Sequence, residues 1–183
     1  MIRTEYNLDI LEKITPTNII KYDDEDLFLL QELYSNWMKL NEKIKTIGGR
    51  PSMLPPEFVE SLVALKLGYY RIDDMRLRFD CYDPNAPQGF NRIEIKYGTG
   101  RTDISSFSPE INWDRLNFVK FYNESPFDCY FEIYDIDIQT ILNESENFGR
   151  SIRDYRGMRP RLSIMKELIE RGIYRERKEF SLF

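Results

Sequence analysis

The stretch Phe90-Asn91-Arg92-Ile93-Glu94-Ile95-Lys96-Tyr97 decides the fold of this chain. Its apolar residues alternate with its charged ones, which is the period of a β-strand that packs one face against a core. Glu94 and Lys96 fall on the charged face, two positions apart. No other predicted core strand carries a pair of residues suited to catalysis. Because such a triplet also arises by chance, its meaning depends on the residues that the fold brings to it.

A second alternating run, over residues 77–82, precedes this strand. The segment Asp83-Pro84-Asn85-Ala86-Pro87-Gln88-Gly89 between the two runs is dense in turn-forming residues. The two runs therefore predict a hairpin in which Asp80 faces Arg92. Glu94 is then the diagonal neighbour of Asp80 on the same face, about 7–8 Å away.

Two carboxylates at that distance can share a divalent cation through their oxygens. Lys96 could then orient or deprotonate a water molecule and offset negative charge at a phosphorus centre. A solvated, salt-bridged sheet face is the alternative interpretation. Asp83 is the rival of Asp80 for the second carboxylate. It precedes Pro84 in the turn and falls on the opposite face, so the pattern favours turn formation for Asp83.

Two helices are predicted before the hairpin. Apolar residues at helical spacing predict the first over residues 26–46. Pro55-Pro56 and Gly68 bound the second, over residues 56–67. Glu60 lies at the edge of the apolar face of this second helix. It is either an ordinary boundary residue or a further carboxylate that reaches the cluster at the hairpin.

The rest of the chain predicts two more strands and two more helices. The strands fall at about 116–122 and 128–136, and the helices near 137–142 and 164–171. This order predicts an α+β fold with a mixed or antiparallel central sheet flanked by helices. With 183 residues, 42% of them hydrophobic, the chain suits a single domain over residues 1–183.

The chain contains no histidine, which excludes several kinds of chemistry. Histidine general bases, serine–histidine triads and histidine-containing zinc sites are not available to it. Catalysis would have to use carboxylates, lysines and tyrosines, with a hard cation bound through oxygen ligands. Cys81 and Cys129 lie in apolar, strand-like runs and are predicted to be reduced core residues, with a disulfide between them as the alternative.

Charge is distributed unevenly along the chain. Residues 150–178 carry 10 basic and 4 acidic side chains, whereas the whole chain has a net charge of −5. Such asymmetry favours a surface that meets a polyanion, and the alternative is a solvated helix surface. We expect the last basic residues to form a solvated tail: Arg171, Arg175, Arg177 and Lys178. No apolar stretch is long enough to span a bilayer and the N-terminus is too charged for a secretory signal, which predicts a soluble, cytoplasmic protein.

An aspartate, a hairpin and then Glu-x-Lys resembles the PD-(D/E)xK nuclease signature, with Phe79-Asp80 in place of the usual Pro-Asp. Longer segments extend the resemblance over most of the chain: LYSNWMKLNEKIKTIGGR (33–50), PEFVESL (56–62), IEIK (93–96), TDISSFSPEINWDRLNFVKFYN (102–123) and GMRPRLSI (157–164). Together they resemble a family of small type II restriction endonucleases whose prototype cuts an interrupted GC-rich palindrome of the GCNGC type.

This resemblance implies a PD-(D/E)xK core and Mg²⁺-dependent hydrolysis of both strands of duplex DNA, leaving 5′-phosphate ends. Asp80, Glu94 and the backbone carbonyl of Ile95 would hold the metal. Glu60 would assist directly or through water, and Lys96 would position the attacking water. A nuclease with a repair or junction-resolving role and a non-catalytic DNA-binding module are the alternatives.

The resemblance also implies partners. A palindromic target implies a homodimer with two-fold symmetry and one active site per strand. A restriction endonuclease also implies a cognate DNA methyltransferase that acts on the same site. The apolar face of the helix at 26–46 could serve as the dimer surface.

A GC-rich target favours arginine as the reader of base edges, because its planar guanidinium matches guanine O6 and N7. The expected readers lie on a segment marked by glycine and proline: Arg156, Arg159 and Arg161. Further basic residues are expected to contact phosphates: Arg101, Lys120, Arg150 and Arg153. Ser105 and Ser106 could bond to phosphate or base edges, or could serve in a turn.

Overall fold

A mixed β-sheet forms the centre of the protein. The computed structural model describes residues 1–10, 13–98, 104–106, 112–147 and 161–183. In chain order the strands are β1 (Ile2–Ile10), β2 (Lys13–Lys21), β3 (Tyr70–Ile72), β4 (Cys81–Tyr82), β5 (Arg92–Gly98), β6 (Ile104–Ser106), β7 (Arg115–Ser125), β8 (Asp128–Asp137), β9 (Arg161–Ser163) and β10 (Glu176–Ser181).

Within these described ranges, eight strands form one sheet in the order β1-β2-β3-β4-β5-β7-β8-β10, and β6 pairs with β9 separately. Strands β5 and β7 run parallel, and their neighbours in the sheet pair antiparallel. The helices are α1 (Asp26–Thr46), α2 (Pro56–Leu67), α3 (Ile138–Asn147) and α4 (Ile164–Glu167), followed by a 3₁₀ turn at Ile169–Arg171. The predicted α+β class with a mixed sheet is confirmed.

The sheet separates two apolar cores. Helices α1 and α2 cover one face, where buried residues such as Val59, Leu62 and Ile95 pack together. Helices α3 and α4 contribute to the second core, which includes Leu116 and Phe118 of β7. The two cysteines are buried and free, as the sequence predicted. Each face of β5 therefore meets a different layer, and the charged pair on β5 points to the side of the second core.

The strand predicted over residues 77–82 is wrong for most of its length, because β4 contains only Cys81 and Tyr82. Asp74 forms a turn before it, accepting a hydrogen bond from the Arg76 N–H at 3.0 Å. Phe79 is nevertheless 5% exposed and packs in the second core. The apolar alternation over residues 77–82 therefore arises partly from Phe79, which is buried although it lies in a loop, and partly from the short strand β4.

The two outermost strands of the sheet, β1 and β10, were not predicted from the sequence. Only Leu8 is buried in β1, so the strand has almost no apolar alternation, and its structure depends on pairing with β2 along its whole length. Arg177 and Lys178, predicted to lie in a solvated tail, form part of β10 and pair with β8. The helix predicted at 164–171 is divided into α4 and the 3₁₀ turn.

Candidate active site

The hairpin places Asp80 beside Glu94. Cys81 lies opposite Ile93 in the β4–β5 ladder, and the Asp80 N–H donates to the Ile93 carbonyl at 2.9 Å. Asp80 is therefore the direct neighbour of Glu94, and the predicted pairing of Asp80 with Arg92 is wrong by two residues.

The register differs because the turn begins one residue later than predicted. The Asp83 N–H still donates to the Asn91 carbonyl at 2.8 Å, which extends the hairpin pairing past Tyr82. Gly89, at φ +81°, then helps the chain to reverse. A shift of two residues preserves the alternation of side chains, so Asp80 and Glu94 stay together despite the error.

The Asp80 carboxylate, just before β4, accepts a hydrogen bond that a backbone carbonyl would accept in a longer strand. Its Oδ2 accepts from the Ile95 N–H at 2.7 Å. A further strand residue would ordinarily bind this N–H. Because β4 begins only at Cys81, the strand does not reach the Ile95 N–H of β5. This N–H instead holds the Asp80 carboxylate next to Glu94.

Lys96 completes the pair predicted on β5. Its Nζ donates to Glu94 Oε1 and, at 3.4 Å, to the Ile95 carbonyl oxygen. The Lys96 and Glu94 side chains are 26% and 17% exposed, so the pair is partly shielded yet open to solvent. A positive charge therefore contacts two of the three groups that the resemblance implies as metal ligands, Glu94 and the Ile95 carbonyl.

The pKa values of two carboxyls in this cluster, Asp80 and Glu60, are raised. Burial raises the pKa of Asp80 to about 6, and the negative charge of Glu94 adds to this shift. The Ile95 N–H and the charges of Lys96 and Arg71 act in the opposite direction. Burial, followed by the charge of Asp80, also raises the pKa of Glu60. The negative charges are therefore incompletely compensated by the protein's own groups, a condition that favours an added cation.

Glu60 reaches this cluster from α2, but it does so paired with Arg71. The Arg71 Nε donates to Glu60 Oε2 at 2.9 Å, and the two side chains are 14% and 17% exposed. Arg71 lies opposite Cys81 in the β3–β4 ladder, one residue from Asp80. The sequence analysis missed Arg71, since its strand has three residues and no alternation that would reveal its position.

The donor set suits a hard divalent cation, because Asp80, Glu94 and the Ile95 carbonyl offer only oxygen atoms. The contact of the Lys96 ammonium with Glu94 and Ile95 shows that these oxygens accept a cation. Among the described residues, no three acidic or cysteine side chains are arranged as a ready metal-binding group. Glu60 is directed instead to Arg71.

Asp83 has a structural environment. Its Oδ2 accepts from Arg115 at 2.7 Å, and its Oδ1 accepts from the Asn85 N–H at 3.0 Å in the turn. Arg115 also binds Asp135 at 2.9 Å, which ties the hairpin to β7 and β8. These contacts agree with the turn role expected for Asp83.

Four of the nine predicted DNA contacts lie in the described part of the chain: Lys120 on β7, Ser105 and Ser106 on β6, and Arg161 on β9. Lys120 pairs with Gly98 across β5 and β7, and its Nζ lies 4.7 Å from the centre of the Tyr122 ring. Ser105 and Ser106 lie on β6, where Ser106 pairs with Arg161 of β9. The other predicted contacts lie outside the described residues: Arg101, Arg150, Arg153, Arg156 and Arg159.

Residues 22–171, a range that includes the whole cluster, match the sequence model of a family described as Bsp6I restriction endonuclease. The match makes the protein a type II site-specific deoxyribonuclease, which binds double-stranded DNA. The chain belongs to the Bsp6I restriction endonuclease family. Endonucleases of this kind generally use divalent metal ions.

Searches of curated proteins and of solved structures returned no match. No helix in the described ranges is long and apolar enough to cross a membrane.

Proposed function

We propose that residues 1–183 form a single nuclease domain with a PD-(D/E)xK core, which cuts both strands of DNA at a short GC-rich palindrome of the GCNGC type in the presence of Mg²⁺. The observation that carries this proposal is the hydrogen bond from the Ile95 N–H to Asp80. It fixes the Asp80 carboxylate beside the Glu94–Lys96 pair, so that Asp80, Glu94 and Lys96 form one site.

Each residue of the cluster has a separate role in this proposal. Asp80, Glu94 and the Ile95 carbonyl would hold Mg²⁺. When bound, Mg²⁺ lowers the pKa of a coordinated water and offsets negative charge on the phosphate. Glu60 assists directly or through water, and its position depends on Arg71. Lys96 orients the attacking water and offsets charge that develops at phosphorus.

The reaction is an in-line displacement. The water oxygen forms a bond to phosphorus while the bond between phosphorus and the 3′-oxygen breaks. The attacking water loses a proton to solvent, and the leaving oxygen takes one up. The products are a 5′-phosphate and a 3′-hydroxyl.

Basic residues near the site are proposed to hold the DNA. Lys120 lies beside Gly98, two positions past Lys96 on β5, which suits a contact with phosphate near the scissile bond. We propose the same role for Arg101, Arg150 and Arg153. Ser105 and Ser106 contact phosphate or base edges.

We propose that guanine bases are read by Arg156, Arg159 and Arg161. The pairing of β6 with β9 supports this assignment, because it joins the chain just past β5 to the segment that carries Arg161.

A palindromic target requires one active site for each strand, so we propose a homodimer in the cytoplasm. A DNA methyltransferase that modifies the same sequence would protect the host DNA. Both partners follow from the proposed specificity.

Plasmid digestion tests the proposal. The purified protein should give discrete fragments in Mg²⁺ and none in EDTA, and sequencing of the fragment ends should show one short palindrome with 5′-phosphates. Structure-dependent nicking would instead indicate a repair or junction-resolving nuclease. Retention of DNA with no cleavage in Mg²⁺ would contradict the catalytic assignment of the whole cluster.

A further inference from the structure

Helix α1 has two apolar faces, and only one of them belongs to the core. Leu30 and Tyr34 are buried against α2 and the sheet. On the side of the helix next to this buried face, about 100° round the axis, Leu29, Leu33 and Leu40 are 47%, 47% and 52% exposed. A surface helix ordinarily presents polar residues to solvent, so the second apolar face needs an explanation.

The exposed residues follow the spacing of a helix–helix contact. Leu29, Leu33, Asn36 and Leu40 are separated by four, three and four positions, and Ile47, the residue just past the end of α1, lies seven positions after Leu40. This is the spacing of the contact positions in a coiled coil. We call these five residues the outer stripe. Singly exposed leucines are common on soluble proteins, but residues aligned along one helix face form a continuous surface.

An apolar groove adjoins the outer stripe. Its volume is about 600 Å³. Leu33, Asn36 and Leu40 line one side, and Met53, Leu54 and Phe58 lie among the residues that line the remainder. A helix laid along the stripe could insert side chains into this groove, as ridges of one helix pack into grooves of another.

The charges along α1 indicate which partner fits. The exposed acidic residues toward the N-terminus include Glu25, just before α1, and Glu32, whereas Asp26 is paired with the N-terminal ammonium of Met1 at 2.6 Å. The C-terminal part carries Lys39, Lys43 and Lys45 and one acidic residue, Glu42. A second copy of α1 in the opposite direction would place acidic residues near basic ones. The antiparallel arrangement would also place the partly positive N-terminus of each helix near the partly negative C-terminus of the other. The complementary surface is thus α1 itself.

We propose that the outer stripe is the contact surface between two copies of this chain, with the two α1 helices antiparallel about a two-fold axis near Asn36. Leu33 of one copy then lies close to Leu40 of the second copy. A stable interface buries about 800 Å² per partner. A helix of 21 residues is only about 30 Å long, so the groove and Met53 complete the contact. This inference rests on the proposed cleavage of a two-fold symmetric target.

Sedimentation of the full chain tests the surface independently of catalysis. At micromolar concentration the protein should sediment as a species of twice the chain mass of 22.0 kDa. The double variant Leu33→Glu/Leu40→Glu should sediment as a monomer with unchanged circular dichroism, since both side chains are exposed in the single chain. Met75→Glu is the matched control, because Met75 is fully exposed and lies outside α1. It should remain dimeric.

Disulfide trapping tests the orientation. Near a two-fold axis a residue meets its own copy, so Asn36→Cys should give a covalent dimer under mild oxidation. Leu29→Cys and Ile47→Cys lie far from the axis and should not crosslink to themselves. The native Cys81 and Cys129 are buried and should not compete.

Each outcome decides the proposal. A monomeric wild type, or a dimer that persists in Leu33→Glu/Leu40→Glu, would overturn the outer stripe as the interface even if cleavage is normal. Efficient crosslinking of all three cysteine variants would contradict the antiparallel arrangement. Conversely, a dimer that depends on Leu33 and Leu40 but cuts no DNA would support the interface and refute the proposed function.

Discussion

Two Glu-x-Lys pairs lie on strands of the same sheet, and only one has the surroundings of an active site. Glu94 and Lys96 are 17% and 26% exposed on β5, a strand paired on both sides. Glu176 and Lys178 form the same kind of ion pair on β10, with 3.2 Å between Lys178 Nζ and Glu176 Oε2. These side chains are 56% and 47% exposed on the outermost strand.

The difference lies in the neighbours. Asp80 lies beside Glu94, is held by the Ile95 N–H, and has its pKa raised by burial and by Glu94. Glu176 also faces an aspartate, Asp135, but Asp135 already accepts hydrogen bonds from Arg115 and Asn117. The spacing of a motif is therefore insufficient to define a site. Burial and an incompletely compensated carboxylate separate the two pairs.

The largest expected effect comes from removing each lysine in turn. Lys96→Ala should reduce the cleavage rate by at least about a hundredfold, because it removes a charge next to the reacting phosphate. Lys178→Ala is the matched control and should cleave at the wild-type rate. Plasmid digestion in Mg²⁺ measures the rates, and a gel-shift assay in EDTA should show that Lys96→Ala still binds DNA. Equal cleavage by the two variants would refute the distinction between the pairs.

A second contrast compares the two aspartates at the ends of β4. Asp80→Asn keeps an oxygen that can accept from the Ile95 N–H but removes the charge, so it should be inactive and remain folded. Asp83→Ala removes the ion pair with Arg115 and the turn hydrogen bond, which should cost about 1–3 kcal/mol of stability. Cleavage assays and urea unfolding measure the two effects. An inactive Asp83→Ala protein with unchanged stability would assign the catalytic carboxylate to Asp83 instead.

These aspartates also show how far the sequence could lead. Period-two alternation identified β5 and placed Glu94 and Lys96 on one face, because a strand that packs on a core must alternate. Helical spacing of apolar residues likewise predicted α1, and the flanking prolines and Gly68 gave the bounds of α2, because both signals lie within the segment itself. The class of enzyme followed from a resemblance spread over most of the chain.

Other features could not be predicted because they depend on contacts between distant segments. The register of the hairpin is set by the Asp83–Asn91 backbone bond, and turn composition does not specify it. Arg71 joins the cluster only because β3 pairs with β4. Strand β1 has one buried side chain, so no apolar pattern announces it. Local sequence determines alternation well, but strand order and register only weakly.

A smaller effect is expected at Arg71, which pairs with Glu60 next to Asp80. Arg71→Ala leaves Glu60 unpaired near Asp80, so the melting temperature should fall without Mg²⁺ and rise more steeply with added Mg²⁺ than in wild type. Cleavage should decrease about tenfold. Thermal unfolding across a Mg²⁺ series measures the first effect. In a Glu60→Gln background, the same replacement should cost less, since no carboxylate remains to be compensated.

If Arg71 only fills space, a different pattern should appear. Mg²⁺ would then leave the difference in melting temperature unchanged, and Arg71→Lys would be as impaired as Arg71→Ala. Recovery of Mg²⁺-independent stability by Arg71→Lys is the expected result, because lysine restores the positive charge next to Glu60.

The smallest effect on activity is expected at Glu132, a buried carboxylate that the protein compensates fully. Burial acts to raise its pKa, but hydrogen bonds from Tyr134 and Tyr122 and the charge of Arg177 outweigh burial and lower it. Because the folded-state pKa lies below the ordinary value, the ionised group stabilises the fold above that value, and the contribution is lost as the pH falls through the folded pKa. Glu132→Gln should therefore destabilise the protein by about 1.5–3 kcal/mol at neutral pH.

The pH dependence distinguishes this structural carboxylate from the proposed catalytic cluster. Melting temperatures of wild type and Glu132→Gln should converge as the pH is lowered below the ordinary range of a glutamate, whereas cleavage at neutral pH should stay within twofold of wild type (about 0.4 kcal/mol in the barrier). Glu179→Gln is the control, because Glu179 also contacts Arg177 but is exposed and should change the melting temperature little. A constant difference at all pH values would mean that Glu132 acts through packing. Loss of cleavage would place β8 in the active site, and the separation between compensated and uncompensated carboxylates would no longer hold.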